Sequence, residues 1–234
     1  MRRWASSLKL RLPTRLNRRN IVAMILVGQY DSPFVRRVAV TLHHYHMPFE
    51  RNALSVFFNM KAMREINPLV RVPALIIENG ETLIDSGAII DYLDHKAGQA
   101  RSLTPVNGPE RRKVLHAVAL ATGCVDKTMA TFFERYYHEA KALSKEWEKR
   151  CMDQLHAGLV ALEKDCGTPW FSDLHMSQAD VSIGCMIGYI KLRVPEAFPA
   201  DKYPKLHRLS MHCEMREEFT SCRPAANETV PARS

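Results

Sequence analysis

The six cysteines include no C-x-x-C pair, the first twenty positions hold no acidic residue, and no apolar run is long enough to cross a bilayer. Cysteines 124, 151, 166, 185, 213 and 222 are too widely spaced for a thiolate zinc site or a disulfide framework. They fit free thiols in a reducing compartment, which places the chain in the cytoplasm. Near the start the longest apolar run, Ile21 to Gly28, falls far short of the ~20 residues a membrane helix needs, so no integral membrane segment is expected. Clustered positive charge is also missing from the body of the chain. The formal charge is +8, but residues 1–20 carry six arginines and one lysine, leaving 26 basic against 25 acidic groups over residues 21–234. A nearly neutral body without a basic groove excludes a nucleic-acid partner.

What is present is the makeup of a folded protein. The 234 residues are 46% hydrophobic and 25% charged, enough for one large domain or two small ones sharing an interface. The basic leader has three readings: an extension without fixed structure, an organelle-targeting peptide, or a contact with an anionic surface. Met24 to Tyr30 reads as a first core strand rather than part of a secretory signal. It runs into a helix start at Pro33 without a small-residue cleavage site.

Strand, helix, strand and helix then alternate. Phe34, Val35, Val38, Leu42 and Tyr45 recur every three to four residues, predicting an amphipathic helix with proline in its first turn. Phe49 to Leu54 supplies a second strand and Asn59 to Ile66 a short helix ended by Asn67-Pro68. Two further strands, Val72 to Ile77 and Thr82 to Ile84, flank Asn79-Gly80, a hairpin signal. A helix from Ser86 to about Lys96 closes a β-α-β-α-β-β-α unit with a four-stranded sheet. Everything after the Gly- and Pro-rich stretch reads helical. The expected division is a basic extension at 1–23, an α/β domain at 24–98, a linker at 99–108, an all-helical domain at 109–219 and a flexible tail at 220–234.

Three features at strand ends carry possible chemistry. Ser32 precedes Pro33 at a helix start, where its oxygen can accept a free backbone N–H as the cap; its hydroxyl at that positive helix end can also donate to an anion such as a thiolate. Pro73, just inside an apolar strand, is either an edge proline or a cis proline that turns the backbone of Val72 toward an open site. Ser86 can cap the next helix or hold a carboxylate, with Asp85 able to receive an ammonium. Their common placement at the C-terminal ends of strands is where open α/β folds bind ligands. Arg36 and Arg71 border that region. Ser177-Gln178-Ala179-Asp180 is a structural capping box, with Met176 and Val181 as its hydrophobic staple. His43, His44 and His46 lack companion ligands at metal spacing and read as surface or interface histidines, so no metal is expected.

Together "SPFVRRVAVTL", "INPLVRVPALIIENGETLIDSGAIIDYLD" and "MSQADVSIG" resemble the glutathione S-transferase superfamily over about residues 24–219, most like bacterial cytosolic members of the serine or zeta/tau-like kind. The resemblance implies a thioredoxin-like α/β N-terminal domain followed by an all-α C-terminal domain, in a homodimer. It implies that Ser32 hydrogen-bonds the glutathione sulfur and that Pro73 is the cis proline with Val72 pairing its backbone to the cysteinyl part. Ser86 would bind the γ-glutamyl carboxylate, Asp85 the γ-glutamyl amino end and Arg71 the glycyl end. Asp85 stands where glutamate is commoner, and Ser172 replaces a glycine often found before the capping box. No cysteine lies near position 32, which argues against mixed-disulfide chemistry. The implied activity is conjugation of glutathione, as co-substrate, to a small hydrophobic electrophile in detoxification. Phe34, His116, Cys124 and Met129 are the expected pocket lining. The alternatives are glutathione-dependent isomerisation of a maleyl-type acid and a noncatalytic interaction protein of the same fold.

Overall fold

The computed structural model describes residues 23–172 and 174–229; the basic leader, with its three readings, lies outside them. Four strands, β1 (Met24–Val27), β2 (Phe49–Asn52), β3 (Ala74–Ile76) and β4 (Thr82–Leu83), form one sheet in the order β2-β1-β3-β4. β1 pairs parallel with β2, placing Leu26 opposite Arg51, and antiparallel with β3, placing Leu26 opposite Leu75. The parallel pair needs a crossover, which α1 (Pro33–His44) supplies; α2 (Met60–Ile66) and α3 (Ser86–Ala97) complete the thioredoxin-like half.

The second half is all helical: α4 (Gly108–Tyr137), α5 (Lys145–Asp165), α6 (Gln178–Arg193), α7 (Pro204–Glu214) and the short α8 (Glu217–Thr220). α4 ends at Tyr137, and a 3-10 turn at Ala140–Ala142 leads toward α5. The Ser177–Asp180 capping box forms as expected. Asp180 accepts from the Ser177 N–H at 2.8 Å, and also from the distant Phe171 N–H at 2.7 Å, fastening the preceding loop to α6.

α1 is buried almost all round because it is packed by the sheet, α3, α6 and α8 together. This explains Arg36, expected at the border of the site. Its guanidinium instead ties the two halves together, donating to both Glu214 carboxylate oxygens at 2.7 and 2.9 Å and to the Cys222 and Phe219 carbonyls at 3.1 and 3.3 Å. Gln178 adds a second tie, donating from Nε2 to Thr41 Oγ1 at 2.9 Å.

Residues 220–229, expected as part of a flexible tail, pack onto the fold. Cys222 is fully buried, and Glu228 accepts from the Tyr30 N–H at 2.8 Å and pairs with Arg51 at 2.6 Å. The polar composition of the segment concealed one buried acid with two partners on the α/β half.

Candidate active site

The site begins at Gly28, which follows β1 with φ of +131°. A Cβ there would lie 2.5 Å from Val35 Cγ2 and 3.0 Å from Val72 Cβ, so glycine alone lets the β1–α1 loop close against both α1 and the Val72-Pro73 segment. Four residues on, Ser32 caps α1 in extended conformation, its Oγ accepting from the Val35 N–H at 3.4 Å. That bond uses an oxygen lone pair. The hydroxyl proton remains available to a ligand.

The Val72-Pro73 peptide bond is cis, and the ladder of β3 starts only at Ala74. The preceding turn is held by Asn67, which is buried, donates to the Arg71 carbonyl at 2.8 Å and accepts from the Leu69 N–H at 3.0 Å. Within it Val70 adopts φ of +51°, an unusual conformation for a β-branched residue that the Asn67 bonds enforce. Sequence reading missed Asn67 because it served there only to end α2.

At α3 the cap is Asp85, not Ser86: the Asp85 carboxylate accepts from the Gly87 N–H at 2.9 Å. Ser86 is the first helical residue and is buried, and among the described residues no hydrogen bond engages its hydroxyl. The shift of one residue leaves Ser86 available to a ligand and gives Asp85 a structural duty.

These elements line two cavities that share Phe34, Arg71 and Val72. One is a polar groove of about 680 Å³ along Asn67, Pro73, Asp85, Ser86, Asp126 and the buried Arg37. The other, about 310 Å³, is walled by Leu54, Phe57, Met129, Phe132, Phe133 and Tyr189 and opens on Ser32. Phe34 and Met129 therefore stand where expected. Two other expected lining residues do not. Cys124 is buried inside the helical half, its thiol on the Leu155 carbonyl at 3.8 Å, and His116 is exposed outside both cavities.

Arg193, at the end of α6, pairs with Asp31 at 2.7 Å directly beside Ser32, with both side chains nearly enclosed, and lies 4.6 Å over the Phe132 ring. Burial raises the Asp31 carboxyl above the usual range while the Arg193 charge pulls it down. No local signal marks this pair, whose members are 162 positions apart. The aromatic wall did carry a signal: "FFERYY" places Phe132 and Tyr136, and Phe133 and Tyr137, one turn apart.

The six cysteines are free and buried, none lines either cavity, and burial pushes Cys124, Cys166, Cys185 and Cys222 up to about 12. The chain brings no thiolate of its own to Ser32. Among the described residues, no group of three or more His, Cys, Asp or Glu side chains could hold a metal ion, and no helix is long and apolar enough to cross a membrane.

A thioredoxin-like half joined to an all-helical half, with a ligand groove between strand ends and helices, defines the class. Residues 26–101 match the model of the glutathione S-transferase N-terminal domain and residues 145–210 that of the C-terminal domain, together more than half of the chain. The chain belongs to the glutathione S-transferase superfamily. It is 28% identical over 202 residues to YibF, an uncharacterised GST-like protein of Escherichia coli K12, covering 86% of this chain and 98% of that one. A glutathione S-transferase of Methylobacterium radiotolerans in complex with glutathione sulfonate superposes with a TM-score of 0.83 at 26% identity, over 91% of this chain and 99% of that one. One from Methylobacillus flagellatus with glutathione bound gives 0.81 at 27% identity, over 87% and 100%.

Proposed function

We propose that the protein is a glutathione transferase that joins the glutathione thiolate to a small hydrophobic electrophile, working as a homodimer. The observation carrying this reading is the junction of the polar groove with the aromatic-walled cavity at Phe34, Arg71 and Val72, with Ser32 in the lining of that cavity. A peptide-like ligand in the groove meets Val72 backbone, the Ser86 hydroxyl and Arg71, and its thiol reaches the N-terminus of α1. There the Ser32 hydroxyl donates to the sulfur, and the helix end adds a favourable field for the anion. The thiol proton leaves to solvent. The sulfur electron pair then forms the S–C bond to an electrophile held against Phe34, Phe57 and Phe132, and the leaving group departs with its own electron pair. The two relatives crystallised with glutathione or glutathione sulfonate support the choice of tripeptide.

The test is calorimetric binding of glutathione followed by turnover of a chromogenic aryl halide. Micromolar to millimolar binding with thiol consumption is expected, and a well-folded protein that binds no glutathione refutes the reading. A second reading draws on Arg71, a cation that lines both cavities and suits an anionic maleyl-type acid. Cis-to-trans turnover without consumption of glutathione identifies that activity instead.

A further inference from the structure

Ser32 stands between a residue that belongs to its own helix and one that is fastened to the other half of the molecule. Pro33 opens α1, whereas the Asp31 carboxylate accepts from Arg193, the last residue of α6, at 2.7 Å. The two charged side chains are only 10% and 6% exposed. Arg193 is braced in turn. Its guanidinium lies 4.6 Å over the Phe132 ring of α4 and 5.9 Å from the centre of the Tyr189 ring, and it engages the Tyr189 hydroxyl. Asp31, Phe132, Tyr189 and Arg193 all line the aromatic-walled cavity into which Ser32 also faces. The charges bearing on Asp31 come from three directions: Arg193 and the Ser32 N–H favour the carboxylate, while burial and Glu228, held on Arg51, oppose it.

Apolar side chains of similar volume often replace a buried ion pair with no loss of stability, so stability alone does not account for this one. What such a pair can supply is a fixed geometry, and the β1–α1 loop lacks one of its own. The only bond that ties the Ser32 side chain to its helix is the long one from the Val35 N–H, at 3.4 Å. A carboxylate one residue from Ser32 would also repel a thiolate held there, and the Arg193 cation cancels that charge. We propose that the Asp31–Arg193 pair positions Ser32: it fixes the loop so that the hydroxyl meets the glutathione sulfur, and it neutralises the carboxylate beside that sulfur. The proposal rests on the role given to Ser32 above. It adds two positioning residues, one from each half, that act through Ser32 and not on the reacting atoms.

A double replacement separates positioning from stability. The full-length proteins are wild type, Arg193→Lys and the paired variant Asp31→Leu with Arg193→Met, each with and without Ser32→Ala. Thermal unfolding reads stability, calorimetry reads glutathione binding, and the ultraviolet absorbance of bound thiolate across pH reads ionisation of the thiol. The paired variant strands neither charge, so it should melt close to the wild-type temperature. Its thiolate midpoint should nevertheless rise, and its conjugation rate near pH 6.5 should fall about 10-fold, approaching the loss caused by Ser32→Ala. Adding Ser32→Ala to the paired variant should then cost less than about threefold, because residues that act as one unit are not additive. Arg193→Lys should lie between, since an ammonium keeps the charge without the fork. A paired variant that keeps the wild-type midpoint, or in which Ser32→Ala keeps its full effect, overturns this proposal alone. If the paired variant does not fold, Arg193→Lys decides: a raised midpoint supports the proposal and an unchanged one overturns it. Wild type that binds no glutathione, or whose thiolate midpoint Ser32→Ala leaves unmoved, overturns the functional reading and this proposal together.

Discussion

Replacing Ser32 with alanine removes two interactions whose sizes the geometry keeps apart. The first is the cap. Ser32 Oγ accepts from the Val35 N–H at 3.4 Å, a long bond, so its loss belongs at the low end of capping energies, about 0.5–1 kcal/mol. For a chain of this length that is a fall in Tm of at most about 4 °C. The second is donation to the thiolate. A hydrogen bond to an anion contributes about 1.5–3 kcal/mol, equivalent to about one to two units in the pKa of the bound thiol. A thiol that ordinarily titrates near ~8.5 would ionise at about 6.5–7.5 in the site and return to ~8.5 in the variant. Conjugation at pH near 6.5 should therefore fall about 10- to 50-fold, and the deficit should close as the pH rises past ~8.5, where both proteins hold thiolate. Initial rates across pH and the ultraviolet absorbance of bound thiolate measure this. Ser32→Gly is the control, because glycine caps nearly as well as serine but donates nothing; it should match alanine in rate and wild type in stability. Profiles with the same midpoint in all three proteins, or a deficit constant at every pH, would refute the reasoning.

Arg193→Met should cost about 3 kcal/mol or more at neutral pH, since it strands Asp31 as a buried charge next to Ser32. Asp31, already raised, then rises further; a raised carboxyl makes the folded state hold its proton longer, so stability falls with increasing pH. Denaturant unfolding should accordingly show the deficit shrinking as pH is lowered toward ~4. Asp180→Ala removes the acceptor for the Phe171 and Ser177 N–H groups and should cost about 3 kcal/mol or more, with Asp180→Asn recovering part. At Glu218, burial favours the neutral form but is outweighed by bonds from Arg216 and His44, holding the carboxyl at about 2. A depressed carboxyl contributes stability above its unfolded pKa of ~4.3, which is lost as pH falls toward about 2. Glu218→Gln should therefore flatten that part of the acid-unfolding profile, and an unchanged profile would show the pair contributes nothing.

What was legible in the sequence is what is decided within a few residues of chain. Ser32 as a cap, the end of α2 at Asn67-Pro68, the Asn79-Gly80 hairpin and the Ser177–Asp180 box each depend on neighbours at most four positions away, so composition and spacing suffice. The failures have a different range. Cys124 and Met129 lie on one helix, five residues and about 140° apart, so they cannot face the same space. α4 buries Ala117, Ala121, Cys124 and Thr128 against α5 and α6 while turning Met129, Phe132 and Phe133 to the cavity. A helix with two covered faces has weak periodicity, and the pattern alone does not say which face meets the ligand. Arg36 and Arg37, adjacent charges of the kind that usually mark a solvated face, are both buried because α1 has no solvent face for them to share. The loop carrying Ser32 shows the longest range of all. Arg193 holds Asp31 from one side and Glu228 holds the Tyr30 N–H from the other, across 162 and 198 positions. Ser32, to which the proposed function gives the thiolate, is thus presented by the thioredoxin-like half but flanked by residues that the helical half and its tail hold in place. A motif search confined to the first half finds Ser32 without finding what aims it.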